Sequence, residues 1–137
     1  MGVNYQYKSK TATLRRNHIR GRGLRHNWVM ATIARDPKIL TLINVFTVDP
    51  GKQQKLVDTL IEATQRTMNR MPGFISASIH KSHDGTKVVN YAQWQSRQDF
   101  EAMTKNPDAI PHMKACADLA RFDPILCEVV DSISVGG

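Results

Sequence analysis

The chain has 137 residues and a formal net charge of +7 at pH 7, the size of one domain with a short appendage. The excess charge is confined to residues 1–30, which hold seven Lys and Arg side chains and no Asp or Glu. Because the remainder is neutral, the charge does not indicate a nucleic-acid-binding or membrane-binding domain. No stretch approaches the roughly 18 apolar residues of a membrane span, so we expect no membrane partner.

Cysteine usage and short motifs exclude further classes of protein. Cys116 and Cys127 are too few for a disulfide framework, and the N-terminus lacks the apolar segment of a secretory signal peptide. Both features favour a cytoplasmic location. There is no CxxC or HExxH motif and no cluster of Cys and His, so we expect no dedicated metal site.

Residues 1–36 are predicted to be a basic, disordered extension, because they show no helical or strand periodicity. A transit peptide is an alternative interpretation, since such segments are rich in Arg and poor in acids. Phosphate contacts to a nucleic acid are another, but no interleaved aromatic residues support base recognition, and we expect no nucleic-acid partner. Met30 is an alternative natural start of the protein.

Residues 37–135 are predicted to form one domain that opens with a buried strand at 39–48, which is apolar and rich in β-branched residues. Turn residues then lead into a helix over 52–70, whose apolar side chains recur at steps of three and four. Met71-Pro72-Gly73 is expected to end this helix, because Pro disfavours helical geometry in the preceding residue and Gly frees the turn.

The second half of the domain is predicted to add a hairpin, two helices and a last strand. Asp84-Gly85 is a strong hairpin signal, and Ser96 is a favourable helix N-cap. Asn106-Pro107 separates the two helices. The predicted strands are 74–81, 86–95 and 124–133, and the predicted helices run from 96 to the Asn106 break and over 109–120.

This β-α-β-β-α-β order is typical of an α+β, ferredoxin-like sandwich, in which helices cover only one face of the sheet. The other face carries apolar side chains from the first and third strands that are unsuited to water. We therefore expect a second copy of the chain to cover them, giving a homodimer. The residues on this face are Thr41, Ile43, Val45, Val89 and Tyr91.

Polar side chains interrupt the face that is turned towards the helices. Strand alternation places Asn44 with Phe46 on the first strand and Asn90 with Trp94 on the third. A buried amide costs about 1–3 kcal/mol unless it is hydrogen-bonded. Each asparagine taken alone is therefore interpreted as making hydrogen bonds to nearby backbone groups. Two on adjacent strands instead indicate polar groups in a ligand pocket. The Trp94 indole N–H also needs a partner, which a ligand oxygen would supply if the ring is not simply core.

Two charged or titratable residues near the start of the last helix have several interpretations. His112 follows Pro111 and is a surface residue, a proton-transfer group or a metal ligand. Lys114, one turn beyond Ile110, faces either water or the mouth of the pocket.

The stretch GTKVVNYAQWQS, Gly85–Ser96, resembles the antibiotic biosynthesis monooxygenase family, and the similarity runs from about Leu40 to Ile133. The resemblance implies a dimeric α+β barrel and a monooxygenase that needs no metal, flavin or haem. Its substrate would be a small aromatic compound of the anthrone, phenol or hydroquinone type. The deprotonated substrate itself would donate an electron to molecular oxygen, inside a dry pocket.

The resemblance also implies roles for particular residues. The Asn and Trp of the family motif fall on Asn90 and Trp94, which we expect to be catalytic. The family's Tyr falls on Phe100, and its last-helix Arg is replaced by His112 or a neighbour, so His112 is the expected proton-transfer group. The residues expected to contact substrate are Asn44, Phe46, Phe100, Met103 and Lys114.

Two alternatives remain open on the same fold. A non-catalytic small-molecule-binding or stress protein is favoured by the absence of the family's Tyr and Arg, because one fold hosts many functions. A haem-degrading monooxygenase is suggested by Asn44 and His112, which fall near the Asn and His of that branch. Met103 stands where that branch has a helical Trp.

Overall fold

A central strand pair organises the domain in the computed structural model, which describes residues 32–136. The apolar, β-branched strand β1 (Leu40–Val48) pairs antiparallel with β3 (Lys87–Trp94) on one side and with β4 (Ala120–Cys127) on the other. With β2 (Phe74–Lys81) beside β3, the sheet order is β2-β3-β1-β4. The elements are β1 (Leu40–Val48), α1 (Gln53–Arg66), β2 (Phe74–Lys81), β3 (Lys87–Trp94), α2 (Arg97–Lys105), α3 (Ile110–Leu119) and β4 (Ala120–Cys127), with 3₁₀ turns at Pro50–Lys52 and Met68–Arg70. The predicted ferredoxin-like α+β fold is confirmed.

Strand alternation turns one face of the sheet towards the helices. Phe46 and Val88, paired across β1 and β3, are buried against Leu56 and Leu60 of α1. A second cluster forms around Trp94 and Met103. The core therefore lies between the helices and the inner face, where burial of each large side chain contributes about 1.5–3 kcal/mol.

The outer face of the sheet is partly covered by the residues that precede β1. The buried Gln93 side chain donates to Thr41 Oγ1 at 2.9 Å and to the Ala34 carbonyl at 3.1 Å, and it accepts from the Ala34 amide at 2.9 Å. Ala34, within the predicted extension, thus contacts the sheet. Residues 1–31 of the predicted extension lie outside the described residues, and their disorder stays a prediction.

Local sequence signals account for the ends of several elements. Ser96 caps α2 as predicted, accepting from the Asp99 amide at 3.1 Å. Gly85 takes a φ of 82° in the hairpin turn between β2 and β3. Gly73 takes a φ of 84°, and a Cβ at this position would collide with the Asp99 carboxyl group. Only glycine therefore fits the turn that follows the first helix.

The first helix is shorter than predicted. The α-helix ends at Arg66, and Thr67 departs to φ −130° and ψ −60° before the chain resumes as a 3₁₀ turn at Met68–Arg70. The Thr67 amide still donates to the Ala63 carbonyl at 3.0 Å. The departure at Thr67 therefore leaves the preceding helical turn intact.

The last strand was predicted wrongly. It begins at Ala120, directly after α3, and ends at Cys127, so residues 128–133 are not part of it. The predicted start of this strand was Pro124. β4 is an edge strand of the sheet described here, where proline is tolerated within the strand.

None of the helices within residues 32–136 is both long enough and apolar enough to cross a membrane.

Candidate active site

A cavity of about 190 Å³ lies between the inner face of the sheet and the three helices. Apolar cavities of roughly 150 Å³ hold a benzene ring, so this space accommodates at least one aromatic ring. Its walls are mainly apolar and aromatic, with a few polar groups among them. The lining residues used below are Asn44, Phe46, Phe74, Asn90, Trp94, Phe100, Met103, His112, Met113, Cys116, Phe122 and Pro124.

Asn44 and Asn90 face this cavity from adjacent strands. They are direct register partners in the β1–β3 ladder, which brings their side chains together on the inner face. Both Oδ1 atoms are buried, and neither has a hydrogen-bond partner among the described residues. The structural alternative, in which each amide ties down nearby backbone through this oxygen, is not observed. Two neighbouring asparagines with unpartnered side-chain oxygens thus lie in the cavity wall.

Trp94 lines the same cavity and carries a buried donor. Its ring is 2% exposed and is held edge-on by Phe74, with ring centroids 5.4 Å apart, and by Phe100 at 6.3 Å. Its Nε1 atom is buried, and no residue within 32–136 accepts from it. A buried donor without a partner costs about 1–3 kcal/mol, so the fold maintains an N–H group that a ligand can use.

His112 lines the cavity from the first turn of α3. Its Nε2 atom lies 2.9 Å from Thr67 Oγ1, at the break after α1. Pro111 also lies in this first turn, where its fixed φ favours helical entry of the chain. The predicted proton-transfer group is therefore at the cavity wall, and a hydroxyl group holds its imidazole.

The structure brings most of the predicted substrate contacts together. Phe46, Phe100 and Met103 line the cavity with Asn44. Lys114 does not reach it: the side chain is 74% exposed and its Nζ atom lies 3.5 Å from Asp118 Oδ1. One helical step of about 100° per residue separates Lys114 from the inward face of α3.

Other lining residues were missed by the sequence analysis. Met113 and Cys116 face the cavity from α3, and Phe122 and Pro124 reach it from β4. Cys116 could have been predicted, because it lies one helical turn after His112 and therefore on the same face of α3. The wrong start assigned to β4 concealed Phe122, whose ring centroid lies 6.2 Å from that of Phe46.

Burial raises the pKa of the Cys116 thiol to about 11. The thiol therefore remains protonated at neutral pH and is a poor nucleophile. On the outer face, burial raises the pKa of Tyr91, and the nearby Cys127 adds to the effect. Neither group supplies an anion at neutral pH.

The part of the chain at 32–136 contains no group of three or more His, Cys, Asp or Glu side chains arranged to hold a metal ion. Asn44 and His112, the pair expected for a haem-degrading enzyme, do line the same cavity. The His112 Nε2 atom, however, is engaged by Thr67.

Comparison with known proteins gives a consistent set of relatives. The pattern of the family described as antibiotic biosynthesis monooxygenase matches residues 39–119. The chain is 50% identical over 103 residues to the tetracenomycin-F1 monooxygenase of Streptomyces glaucescens, covering 75% of this chain and 92% of that protein.

Solved structures agree with this result. A monooxygenase from the gene ActVA-Orf6 of Streptomyces coelicolor, crystallised with the ligand nanaomycin D, superposes with a TM-score of 0.66 and 32% identity, covering 72% of this chain and 95% of that one. SnoaB, a cofactor-independent oxygenase from Streptomyces nogalater, superposes with a TM-score of 0.58 and 23% identity, covering 70% and 97%. The second likeness concerns the fold alone.

Proposed function

This chain belongs to the antibiotic biosynthesis monooxygenase family and is a monooxygenase, and from that premise we propose that it oxidises a polycyclic phenol of the anthrone type without a cofactor. The substrate class is supported by the tetracenomycin-F1 monooxygenase, at 50% identity, and by the cavity wide enough for an aromatic ring.

The observation that carries this proposal is the set of three buried, unpartnered polar atoms around an apolar cavity. Asn44 Oδ1 and Asn90 Oδ1 are acceptors, and Trp94 Nε1 is a donor. Leaving each of these unpaired costs about 1–3 kcal/mol, which a ligand with matching groups recovers. A phenolic aromatic compound offers hydroxyl donors, oxygen acceptors and flat apolar faces, and so matches both the polar set and the walls.

The chemistry requires a substrate anion. His112 accepts a proton from the bound anthrone, whose conjugate base is electron-rich and transfers one electron to molecular oxygen. The substrate radical and superoxide combine at the activated carbon to form a peroxide. Loss of water from the peroxide leaves a carbonyl group, so that one oxygen atom enters the product and the other leaves as water.

The protein's contribution is to position the substrate and to stabilise its anion. The Trp94 N–H donates to the developing oxyanion, and the Asn44 and Asn90 carbonyls accept from substrate hydroxyls. A donor that is preorganised towards developing negative charge stabilises the transition state by about 2.7–4 kcal/mol. The apolar walls exclude water, which strengthens these contacts and protects the reactive intermediate.

We place the enzyme in the cytoplasm as a homodimer. The two free cysteines support a reducing compartment. The dimer is supported by apolar side chains that the described chain leaves partly exposed on the outer face of the sheet. These are Ile43, Val45, Val89 and Ile125.

Oxygen labelling tests the proposed function. Under ¹⁸O₂, an anthrone oxidised by the enzyme should gain one labelled oxygen atom in its new carbonyl group, with the second label in water. A product labelled only from the solvent would contradict the proposed oxygenation. Tight binding of anthrones without turnover would instead favour the non-catalytic binding protein.

A further inference from the structure

His112 lies between two cavities of different character. One is the apolar cavity that contains Trp94. The other is a polar cleft of about 630 Å³, open to solvent, whose walls include Thr67 and also contain Arg66, Arg70 and Asp108. The imidazole lines both spaces, whereas Thr67 lines only the cleft.

The contact between Thr67 and His112 is held by an irregular stretch of backbone. Thr67 leaves helical geometry at φ −130° and ψ −60°, between the end of α1 and a 3₁₀ turn. Its hydroxyl oxygen lies 2.9 Å from His112 Nε2, and no other residue within 32–136 makes a side-chain hydrogen bond to this imidazole. A continuous helix, as the sequence predicts, would not contain this departure. Places where the backbone departs from the structure that the local sequence favours are concentrated at functional sites.

A hydroxyl group suits this position because it both donates and accepts hydrogen bonds. It accepts from Nε2–H, and it donates to Nε2 when that nitrogen carries no hydrogen. The ring is therefore held in both protonation states. Nδ1 is left without a partner from the described residues.

We propose that Thr67 is a positioning residue: it holds His112 in the orientation in which the imidazole transfers a proton from the apolar cavity to the cleft. This inference rests on the proposed function, because the proton in question is the one the substrate loses. Nδ1 accepts that proton, Nε2–H passes its own to Thr67 Oγ1, and the hydroxyl hydrogen goes to water in the cleft. The imidazole is left neutral with its hydrogen on Nδ1, so charge and protons balance. The charged groups that face this route from the cleft are Arg66, Arg70 and Asp108.

The test compares Thr67→Val with Thr67→Ser and a matched control. Thr67→Val keeps the shape of the side chain but removes the hydroxyl group, whereas Thr67→Ser retains it. Thr59→Val makes the same change elsewhere on α1, where the hydroxyl donates only to the Lys55 carbonyl at 2.7 Å. Steady-state kcat and KM are measured for each variant on an anthrone that the wild type oxidises.

We expect Thr67→Val to lower kcat by about one to two powers of ten with little change in KM, because a well-placed proton-transfer group contributes about 10²–10⁴-fold. Thr67→Ser should recover most of the loss, and Thr59→Val should match the wild type. Wild-type kcat in Thr67→Val, or a Thr67→Ser variant no better than Thr67→Val, would overturn the inference.

A second measurement separates this inference from the proposed function. Nitrogen-15 NMR of imidazole-labelled protein should show that the His112 Nε2 signal shifts in Thr67→Val, with the exposed His80 and His83 as unchanged references. If the wild type oxidises no anthrone, the proposed function fails, and this spectrum alone decides the positioning role. An unchanged His112 signal would then refute it.

Discussion

Replacing Trp94 with phenylalanine separates the role of the indole N–H from that of the ring. The ring is 2% exposed and packs edge-on against Phe74 and Phe100, so phenylalanine retains the aromatic contacts. Trimming a buried side chain typically costs about 0.5–3 kcal/mol. Removing a buried donor that no described residue satisfies returns about 1–3 kcal/mol. The two effects are of similar size, and we expect little net change in stability.

Turnover should respond very differently to the same substitution. If the N–H stabilises a substrate oxyanion, Trp94→Phe loses about 2.7–4 kcal/mol of transition-state stabilisation, which lowers kcat by two to three powers of ten. Anthrone oxidation, followed by absorbance, and thermal unfolding are measured on the same preparation. Tyr91→Phe is the control, because it removes one polar atom from an aromatic side chain of the same strand, on its opposite face. Trp94→Phe with wild-type kcat would refute the reasoning.

Three further predictions concern the fold and its assembly. Gly73→Ala should destabilise the protein by about 2–5 kcal/mol in a urea titration, because a Cβ at φ 84° is strained and meets the Asp99 carboxylate. Gly51→Ala is the control and should not destabilise it, since a Cβ there meets no atom within 4 Å. Thiol titration of the native protein should find Cys127 reactive and the buried Cys116 slow at pH 8, with the Cys116 rate rising steadily up to about pH 11; equal rates at pH 8 would contradict this. The wild type should sediment as a dimer at micromolar concentration and Val89→Asp as a folded monomer, and a wild-type monomer would disprove pairing through the sheet.

The sequence predicted the inner face of the sheet because a strand has a simple period of two. Alternation alone put Asn44 and Asn90 on the same face as Phe46 and Trp94, and the structure pairs the two asparagines directly. That neither Oδ1 atom has a hydrogen-bond partner within residues 32–136 could not be predicted, since it depends on how the helices pack over the sheet. The same limit applies to Lys114, which a difference of one helical step leaves in solvent.

The remaining errors lie where tertiary contacts override local signals. Pro124 suggested the start of a strand, but the pairing of Ala120 with Val48 begins β4 four residues earlier, at the sheet edge. The first helix continues its apolar period past Thr67, so periodicity gave no reason to expect the break there. That break is stabilised by a contact with His112, which is 45 residues away in the chain.

Oxygen uptake by purified, metal-free protein tests the central claim most directly. The purified enzyme, after exhaustive treatment with a chelator, is supplied with a panel of anthrones and hydroquinones in an oxygen electrode. Cofactor-independent oxygenation predicts catalytic consumption of one O₂ per product carbonyl formed, at a rate that added metal, flavin or haem does not raise. Oxygen uptake that appears only after a metal, flavin or haem is added would contradict the account. So would the absence of oxygen uptake with every member of the panel.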